Sequence, residues 1–286
     1  MSSVPASPDG AAVMPDLAKK IDAAAAAVRE RCGRTPRVAV VTGTGLGGLA
    51  EAVAVEAEIP YLEIPHFPAS TAPGHRGRLL LGELGGASVA VLDGRFHSYE
   101  GYTLAECTFP IRVVRALGAE TLVLTNAAGG LNPAFELGDS MLIEDHIDLL
   151  PGNPLTGPND DALGPRFPDM FEPYDRGLLA LAREEAAAAG MTLREGVFVA
   201  VPGPNLETRA EYRMLRGFGA DVVGMSTVPE CIVAKHCGLK TLAFSVVTDL
   251  CDPDRLEPVD IAKIIATAER GGAALSALLQ RVIPRL

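Results

Sequence analysis

The feature that most constrains the fold is a repeated alternation between short apolar runs and segments able to form helices. The runs are RVAVVTG, ASVAVLDG, TLVLTNAAGG, SMLIED, VFVAVPG, DVVGMS and TLAFSVVTD, starting at residues 37, 87, 121, 140, 197, 221 and 241. They are typical of buried parallel strands. Helices are predicted for 207–216, 229–237 and about 258–279. This order predicts an α/β fold with a mostly parallel, mixed central sheet flanked by helices.

Composition and apolar periodicity along the chain also indicate its domain organisation. Residues 1–14 are rich in Ser, Pro, Ala and Gly without apolar periodicity, and we predict a disordered tail. From Asp16, apolar residues recur at helical spacing up to Gly33, which predicts a first helix. No repeat or linker follows, so residues 15–286 are predicted to form a single domain. The irregular stretch 151–175 is long for an internal loop, which favours a functional role.

Charge and cysteine content exclude several classes of partner. The formal charge of −11 argues against broad attraction to nucleic acid or anionic lipid. The five cysteines form an odd set without CxxC spacing, which is typical of a reducing compartment. The N-terminus lacks a secretory pattern, and the alanine run 23–27 is flanked by charges. We therefore expect a cytoplasmic protein with no nucleic-acid or membrane partner.

Small and polar residues cluster where the predicted strands end. In open α/β sheets, ligands bind beyond the carboxyl ends of the strands. These ends read Thr42-Gly43-Thr44, Asp93-Gly94-Arg95, Asn126-Ala127-Ala128-Gly129, Pro202-Gly203-Pro204, Met225-Ser226 and Thr248-Asp249. The site is therefore predicted along this edge.

The glycine loop Gly43-x-Gly45-x-x-Gly48 invites comparison with a dinucleotide fingerprint. That motif also needs an acidic residue at the end of the next strand, about 20 positions on. Here the following segment is broken by Pro60 and Pro65. A loop whose amides and Thr44 hydroxyl bind a phosphate is favoured, with a turn at positive φ as the plain alternative. A nicotinamide-dependent oxidoreductase and a non-catalytic nucleotide-binding protein stay as alternatives.

Two further segments carry candidate anion ligands. TAPGHRGRL places His75, Arg76 and Arg78 among glycines, and DGRFHSYEGY places Arg95, His97 and Tyr99 after a strand. If the second segment is extended, its three polar residues share one face. Arginine binds phosphate through a bidentate fork, and histidine adds a donor near neutral pH. Each could also be a solvated charge or a satisfied histidine.

Several long sequence blocks, taken together, are far more specific than the glycine loop. GTGLGGL, PGHRGRL, GRFHSYEGY, TNAAGGLNPAFELGD, GPNLETRAEYRMLRGFGADVVGMSTVPE and AKHCGLK resemble purine nucleoside phosphorylases of the trimeric class, in matching order over about 38–249. The resemblance implies reversible phosphorolysis of purine (deoxy)ribonucleosides to free base and (deoxy)ribose 1-phosphate, in purine salvage. It also implies a homotrimer, with inorganic phosphate as co-substrate and no other cofactor or metal.

The resemblance also assigns residues. The implied phosphate ligands are Thr44, His75, Arg95, His97, the Ala127 amide and Ser226. The implied nucleoside-binding residues are Tyr99, Leu206, Glu207, Met225, Thr248, Asp249, Val259, Asp260 and Phe167 from the neighbouring subunit. Asp249, Glu207 and His97 are the implied catalytic residues. Glu207 would accept from the purine N1–H, and Met225 would pack under the ribose; their plain alternatives are a helix-start carboxylate and ordinary core.

Three departures bear on selectivity. Asp249 stands where the family has a base-reading asparagine, and an ionised carboxylate can only accept a hydrogen bond. Leu206 stands where an aromatic residue often stacks on the base, and Val259 or Asp260 where a histidine meets the 5′-hydroxyl. We expect inosine and guanosine as main substrates with tolerance of adenosine, through a protonated Asp249 that donates to N7. A methylthioadenosine or methylthioinosine phosphorylase is the alternative.

Overall fold

The computed structural model describes residues 16–72 and 74–286, so the predicted tail, residues 1–14, lies outside the described residues. The helices are α1 Leu17–Arg31, α2 Gly47–Glu51, α3 Leu104–Leu117, α4 Arg176–Ala188, α5 Arg209–Gly217, α6 Val228–His236 and α7 Ile261–Val282. The strands are β1 Val38–Thr42, β2 Ala54–Pro60, β3 Arg78–Leu84, β4 Ala87–Asp93, β5 Thr121–Gly130, β6 Ser140–Asp148, β7 Leu193–Ala200, β8 Val222–Gly224 and β9 Lys240–Leu250. Every predicted apolar run forms a strand.

The strands of the described chain form one mixed sheet, which confirms the predicted fold class. β5 pairs with β1, β8 and β9, so that β5, β9, β6, β7 and β8 close into a ring, and β1, β4, β3 and β2 extend outward from β5. The pairs β1–β4, β1–β5, β5–β9, β6–β7 and β7–β8 are parallel. The carboxyl ends of β1, β4, β5 and β9 therefore meet on one side of the sheet.

Two strands that the apolar pattern did not predict, β2 and β3, settle the glycine-loop question. β3 pairs antiparallel with both β2 and β4, and β2 lies at the sheet edge. Its residues are largely exposed, and Pro60 is tolerated there because an edge strand can lack one donor. A dinucleotide unit needs a parallel strand next to β1 after the loop helix. The interpretation as a nicotinamide site is wrong because β2, the strand that follows α2, lies at the far edge of the sheet instead of next to β1.

Capping residues explain why two predicted helices begin later than expected. Thr208 caps α5 and accepts from the Glu211 amide, so the helix begins at Arg209 rather than Glu207. Asp260 caps α7 and accepts from the amides of Ala262 and Lys263. The apolar face of α7 is buried in the core, where each leucine contributes about 2 kcal/mol. This burial fixes the capped end of α7 next to the strand ends.

The chain between β6 and α4 is irregular throughout residues 151–175, as the sequence predicted. Its tip presents Phe167 and Phe171, which are 86% and 79% exposed. In the described part of the chain, no helix has the length and apolar character needed to cross a membrane.

Candidate active site

A cavity of about 390 Å³ opens at the carboxyl ends of β1, β4, β5 and β9, between the segment before α5 and the first turns of α7. Twelve of the fifteen residues that the resemblance assigned line this cavity, and they are Thr44, His75, Arg95, His97, Tyr99, Ala127, Leu206, Glu207, Met225, Ser226, Thr248 and Asp249. The predicted clustering at one edge of the sheet is therefore what the structure contains.

The backbone of the glycine loop packs closely against α7 and β5. Gly45 has a φ of +82°, and a Cβ there would lie 2.4 Å from the carbonyl carbon of Ala268 in α7. The Gly43 amide donates to the Thr125 hydroxyl at 3.1 Å. Glycine is therefore required because the loop lies directly against α7 and β5. Thr44 faces the cavity, with its hydroxyl 3.4 Å from Nε2 of His75.

His75 is held as a neutral donor. Its Nδ1 lies 2.8 Å from the Arg95 amide nitrogen, which donates to it, and 3.1 Å from the Arg95 carbonyl oxygen. The shorter contact with the amide favours the tautomer whose hydrogen is on Nε2, next to Thr44. Burial, followed by the charge of Arg95, lowers the pKa of His75. A neutral imidazole with its N–H directed into the cavity can donate to an anion without carrying charge itself.

Arg95 is a buried cation, and its surroundings fix its orientation. Its Nη1 donates to the Thr125 carbonyl at 2.8 Å and to the Ser226 hydroxyl at 3.1 Å. Its Nε donates to Glu230 at 3.3 Å. Its Nη2 lies 3.3 Å from Glu230 but has no hydrogen-bond partner with proper geometry among the described residues. A buried donor without an acceptor favours a ligand that supplies one.

His97 is oriented by Glu100. The carboxylate accepts from His97 Nδ1 at 2.9 Å and from its amide at 2.8 Å, and it also accepts from the Thr71 amide at 2.9 Å. Burial, followed by the charge of Arg95, lowers the pKa of His97 to about 4. The neutral ring therefore presents an unprotonated Nε2, which is a hydrogen-bond acceptor.

The condition that residues 95–99 are extended is not met, although Arg95, His97 and Tyr99 all line the cavity. Residues Ser98–Glu100 form a 3₁₀ turn because Glu100 bonds back to His97. Tyr99 consequently stacks on the His97 ring, at 4.6 Å between centroids and 14° between planes, instead of alternating with it. Burial raises the pKa of Tyr99 to about 12, so its hydroxyl stays protonated.

A bulge in β9 positions the acidic end of the cavity. Ala128 pairs with Val247 and Gly129 pairs with Asp249, which leaves Thr248 as the extra residue and re-aims the side chains that follow. Asp249 accepts from the Thr248 hydroxyl at 2.9 Å on Oδ1 and from the Cys251 thiol at 3.4 Å on Oδ2. A Cβ on Gly129 would lie 2.5 Å from Cys251 Sγ, so glycine makes room for this pair.

Glu207 lies in the segment that precedes α5. It precedes the Thr208 cap, and the stabilising helix-start carboxylate of α5 is Glu211, whose side chain accepts from the Thr208 amide at 2.7 Å. Glu207 instead lines the cavity with Leu206, and burial raises the pKa of its carboxyl. The plain alternative of a surface helix-start carboxylate is therefore wrong for Glu207.

Three assigned residues lie outside the cavity of this chain. Phe167 is exposed on the 151–175 loop, Val259 is 49% exposed, and Asp260 is occupied as the cap of α7. The α7 residues that do line the cavity are Ile261, Ile264 and Ile265, which the sequence interpretation missed. Their i, i+3, i+4 spacing directly after a capping aspartate was the available signal.

Tyr212 and Cys251 were also missed, whereas Asn126 belongs to a strand end at which the site was predicted. Tyr212 and Cys251 line the acidic end, and both are almost fully buried. Asn126 donates through Nδ2 to the Thr227 hydroxyl at 2.9 Å, while its Oδ1 is buried without a partner in the described chain. Tyr212 lies in α5 and Cys251 directly follows β9, and only tertiary structure brings these two side chains to the cavity.

Comparison with known proteins agrees with this geometry. Residues 37–284 match the model of the phosphorylase superfamily. Purine nucleoside phosphorylase 1 of Geobacillus stearothermophilus is 49% identical over 250 residues, which cover 87% of this chain and 91% of that protein. Purine nucleoside phosphorylase of Bos taurus is 54% identical over 220 residues, covering 75% of this chain and 76% of that protein.

Solved structures show the same relationship. Schistosoma mansoni purine nucleoside phosphorylase in complex with adenosine superposes with a TM-score of 0.88 at 39% identity, covering 94% of this chain and 97% of that chain. The complex of the same enzyme with inosine gives a TM-score of 0.88 at 39% identity, with 94% and 96% coverage. The resemblance seen in the sequence is confirmed: the chain belongs to the phosphorylase superfamily and, within it, to the purine nucleoside phosphorylases.

Proposed function

We propose that this enzyme catalyses reversible phosphorolysis of inosine and guanosine and their deoxy forms, and that it tolerates adenosine. The products are the free base and (deoxy)ribose 1-phosphate. The observation that carries the proposal is a single cavity whose wall carries both a cluster of anion donors and two carboxylates. The Schistosoma mansoni relatives were solved with adenosine, inosine and guanosine, which supports this range of substrates.

The phosphate is assigned to the end formed by Thr44, His75, Arg95, His97, the Ala127 amide and Ser226. The Nε2–H of His75, the Thr44 hydroxyl and Arg95 Nη2 supply donors. The unprotonated Nε2 of His97 accepts the remaining hydrogen of hydrogen phosphate. Phosphate itself attacks C1′, so no side-chain nucleophile is required. Holding it beside the anomeric carbon supplies the proximity contribution.

The purine is assigned to the acidic end. Breaking the glycosidic bond leaves negative charge on the base, and a hydrogen bond donated to N7 stabilises that charge in the transition state. Asp249, when protonated, is the donor at N7, and ionised Glu207 accepts from N1–H. Tyr99 and Met225 also line the cavity, and the sugar is assigned to them.

We further propose a homotrimer with shared sites, inorganic phosphate as co-substrate, and no other cofactor or metal. The 86% exposed Phe167 supports shared sites, because a large apolar side chain on a long loop is available to enter a neighbour's cavity. Neither nucleic acid nor membrane is proposed as a partner, and the acidic charge of −11 supports this. Purine salvage in the cytoplasm is the proposed setting.

A second candidate substrate class is 5′-methylthio nucleosides. Ile261, Ile264 and Ile265 give the α7 side of the cavity an apolar wall, and Asp249 offers an acceptor to a 6-amino group. An apolar 5′ substituent would pack on this wall at no desolvation cost, unlike a hydroxyl.

The test is direct. Purified protein is incubated separately with inosine, guanosine, adenosine and methylthioadenosine, with and without phosphate, and free base is measured by chromatography. Phosphate-dependent release of hypoxanthine and guanine, with slower release of adenine, is expected. Release from methylthioadenosine alone would replace the main proposal with the second candidate, and phosphate-independent release would contradict both.

A further inference from the structure

A buried carboxylate in the first turn of α6, Glu230, connects two segments of the phosphate end of the cavity. It is 6% exposed, and in the part of the chain that the structure describes it is the one acidic residue that pairs with Arg95. Its Oε1 accepts from Arg95 Nε at 3.3 Å, and its Oε2 accepts from the Thr227 amide at 3.0 Å. Arg95 follows β4, and Thr227 follows β8 directly after Ser226. Glu230 therefore holds one segment with each of its oxygens.

The same two segments also contact each other. Arg95 Nη1 donates to the Ser226 hydroxyl at 3.1 Å, and this hydroxyl lies 3.3 Å from the Thr227 hydroxyl. Asn126, in β5, donates through Nδ2 to the Thr227 hydroxyl at 2.9 Å. A closed contact ring is thus formed by Arg95, Glu230, Thr227 and Ser226, and Asn126 joins it from β5.

Thr227 has a backbone conformation that threonine rarely adopts, with a φ of +73° and a ψ of −50°. A β-branched residue with positive φ is strained, and such strain persists only where the surrounding contacts determine the conformation. Here the residue is fully buried, Glu230 holds its amide and Asn126 holds its hydroxyl. These contacts fix the direction of the chain at Ser226, immediately before Thr227, and with it the position of the Ser226 hydroxyl.

We propose that Glu230 is a positioning residue for phosphate binding, which holds Arg95 and Ser226 in the relative placement that the anion requires. The proposal rests on the proposed function, in which both residues bind phosphate. An ionised carboxylate suits this role because both of its oxygens accept, one from the guanidinium and the other from the main-chain amide. Donors that are fixed in advance need no reorganisation when the anion binds.

Removal of the negative charge of Glu230 distinguishes this role from a purely electrostatic one. If Glu230 served only as a counter-charge, its neutralisation would leave Arg95 with more positive charge towards phosphate, and phosphate would bind more tightly. If Glu230 positions the ring, phosphate would bind more weakly, because glutamine has a single acceptor oxygen and must turn its NH₂ group towards either Arg95 or the Thr227 amide. The two roles thus predict changes of opposite sign.

Glu230→Gln should raise the KM for phosphate by about tenfold, as expected when one hydrogen bond to a charged group is lost. The KM for inosine should change little, because the residues assigned to the purine lie outside the contact ring. Kinetics with phosphate varied at saturating inosine measure the first constant, and calorimetric titration of the nucleoside-free protein with inorganic phosphate measures the affinity directly. An unchanged or lower KM for phosphate, or an equal rise in both constants, would overturn the proposal.

A second pair of variants tests the contact ring without changing a buried charge. Thr227→Val keeps the β-branched shape but removes the hydroxyl that accepts from Asn126, and it should raise the KM for phosphate by about fivefold. Thr227→Ser retains that hydroxyl, so its KM for phosphate should lie below that of Thr227→Val. Equal phosphate constants in the two variants would show that the ring does not place Ser226, which overturns the proposal.

Glu185→Gln is the matched control, because Glu185 is likewise a buried glutamate paired with arginine. It accepts from Arg281 Nε at 2.9 Å and lies outside the cavity. This variant should lower the melting temperature without changing the KM for phosphate. A rise in that constant equal to the rise in Glu230→Gln would reveal a general effect of lost stability and overturn the proposal. Failure of the unsubstituted enzyme to bind phosphate or to release base from inosine would instead overturn the proposed function.

Discussion

The main-chain amide of Arg95 donates a 2.8 Å hydrogen bond to Nδ1 of His75, and this contact determines which nitrogen of the imidazole can serve a ligand. This contact is shorter than the 3.1 Å between Nδ1 and the Arg95 carbonyl oxygen, so it favours the tautomer with the hydrogen on Nε2, 3.4 Å from the Thr44 hydroxyl. Arg95 therefore acts twice, through its backbone on His75 and through its guanidinium at the cavity wall.

Substitution of His75 tests this arrangement. His75→Ala removes one donor to the phosphate and should raise the KM for phosphate by at least tenfold, since a hydrogen bond to a charged group contributes about 1.5–3 kcal/mol. The KM for inosine should change little. Steady-state kinetics with phosphate varied at saturating inosine measures this. His66→Ala, an exposed histidine outside the cavity, is the control. An unchanged phosphate KM in His75→Ala would remove His75 from the phosphate site.

His97 should make the ligand-free protein less stable in acid. Its pKa is about 4 when folded against about 6.5 unfolded, so the unfolded state binds more protons between these values. The stabilisation is complete above about pH 6.5 and is lost as pH falls toward 4, by about 3 kcal/mol. Urea unfolding at pH 7 and pH 4.5 should show a smaller loss in His97→Asn than in the unsubstituted protein. Equal losses would show that His97 does not titrate as inferred.

Sequence reasoning predicts seven strands, and with them the site edge, because apolar runs that end in Gly and polar residues carry a strong local signal. It misses the buried strand β3, whose leucine run 79–81 is short and is followed by Gly82 and Glu83. It misses β2 because an exposed edge strand has no such pattern. It places Val259 and Asp260 at the site and misses Ile261, since α7 begins at Ile261 rather than at about residue 258 and its first turns line the cavity.

Sequence reasoning predicts Glu207 and Asp249 as site residues, but it does not predict that Tyr212 and Cys251 line the same part of the cavity. Tyr212 reads as a buried helix residue and Cys251 as a residue after a strand. The position of Cys251 depends on the bulge at Thr248 and on the space beside Gly129, which arise from pairing between β5 and β9. Long-range pairing of this kind leaves no local mark in the sequence.

Asp249→Asn should shift the preference toward 6-oxopurines. The amide donates to O6 or N7 without needing a proton, and it cannot act as an anionic acceptor for a 6-amino group. The ratio of kcat/KM for inosine to that for adenosine should rise by about tenfold, which one hydrogen bond to a charged group can supply. Competition between the two nucleosides, followed by chromatography of the bases, measures the ratio. An unchanged preference would count against donation by Asp249.

Gly45→Ala should destabilise the protein and weaken phosphate binding together. The new Cβ would lie 2.4 Å from the Ala268 carbonyl carbon, at a φ of +82°, so the loop must move away from α7. Gly101→Ala is the matched control, because Gly101 also has positive φ but has open space around it. Gly101→Ala should cost about 1 kcal/mol from backbone strain alone. A smaller loss of melting temperature in Gly45→Ala than in Gly101→Ala would contradict the close packing of loop and helix.

Substitution of Phe167 tests whether each active site is shared between two subunits or formed by one chain. It is 86% exposed and lies outside the cavity of its own chain, so Phe167→Ala should change the stability of the isolated subunit by no more than about 0.5 kcal/mol. If the side chain enters a neighbouring cavity, the KM for inosine should rise about tenfold while the KM for phosphate stays constant. Phe171→Ala, on the same loop and 79% exposed, is the control and should leave both constants unchanged. Sedimentation of both variants at assay concentration separates loss of contact from loss of assembly. An unchanged inosine KM in an intact oligomer would show that each cavity is completed by its own chain.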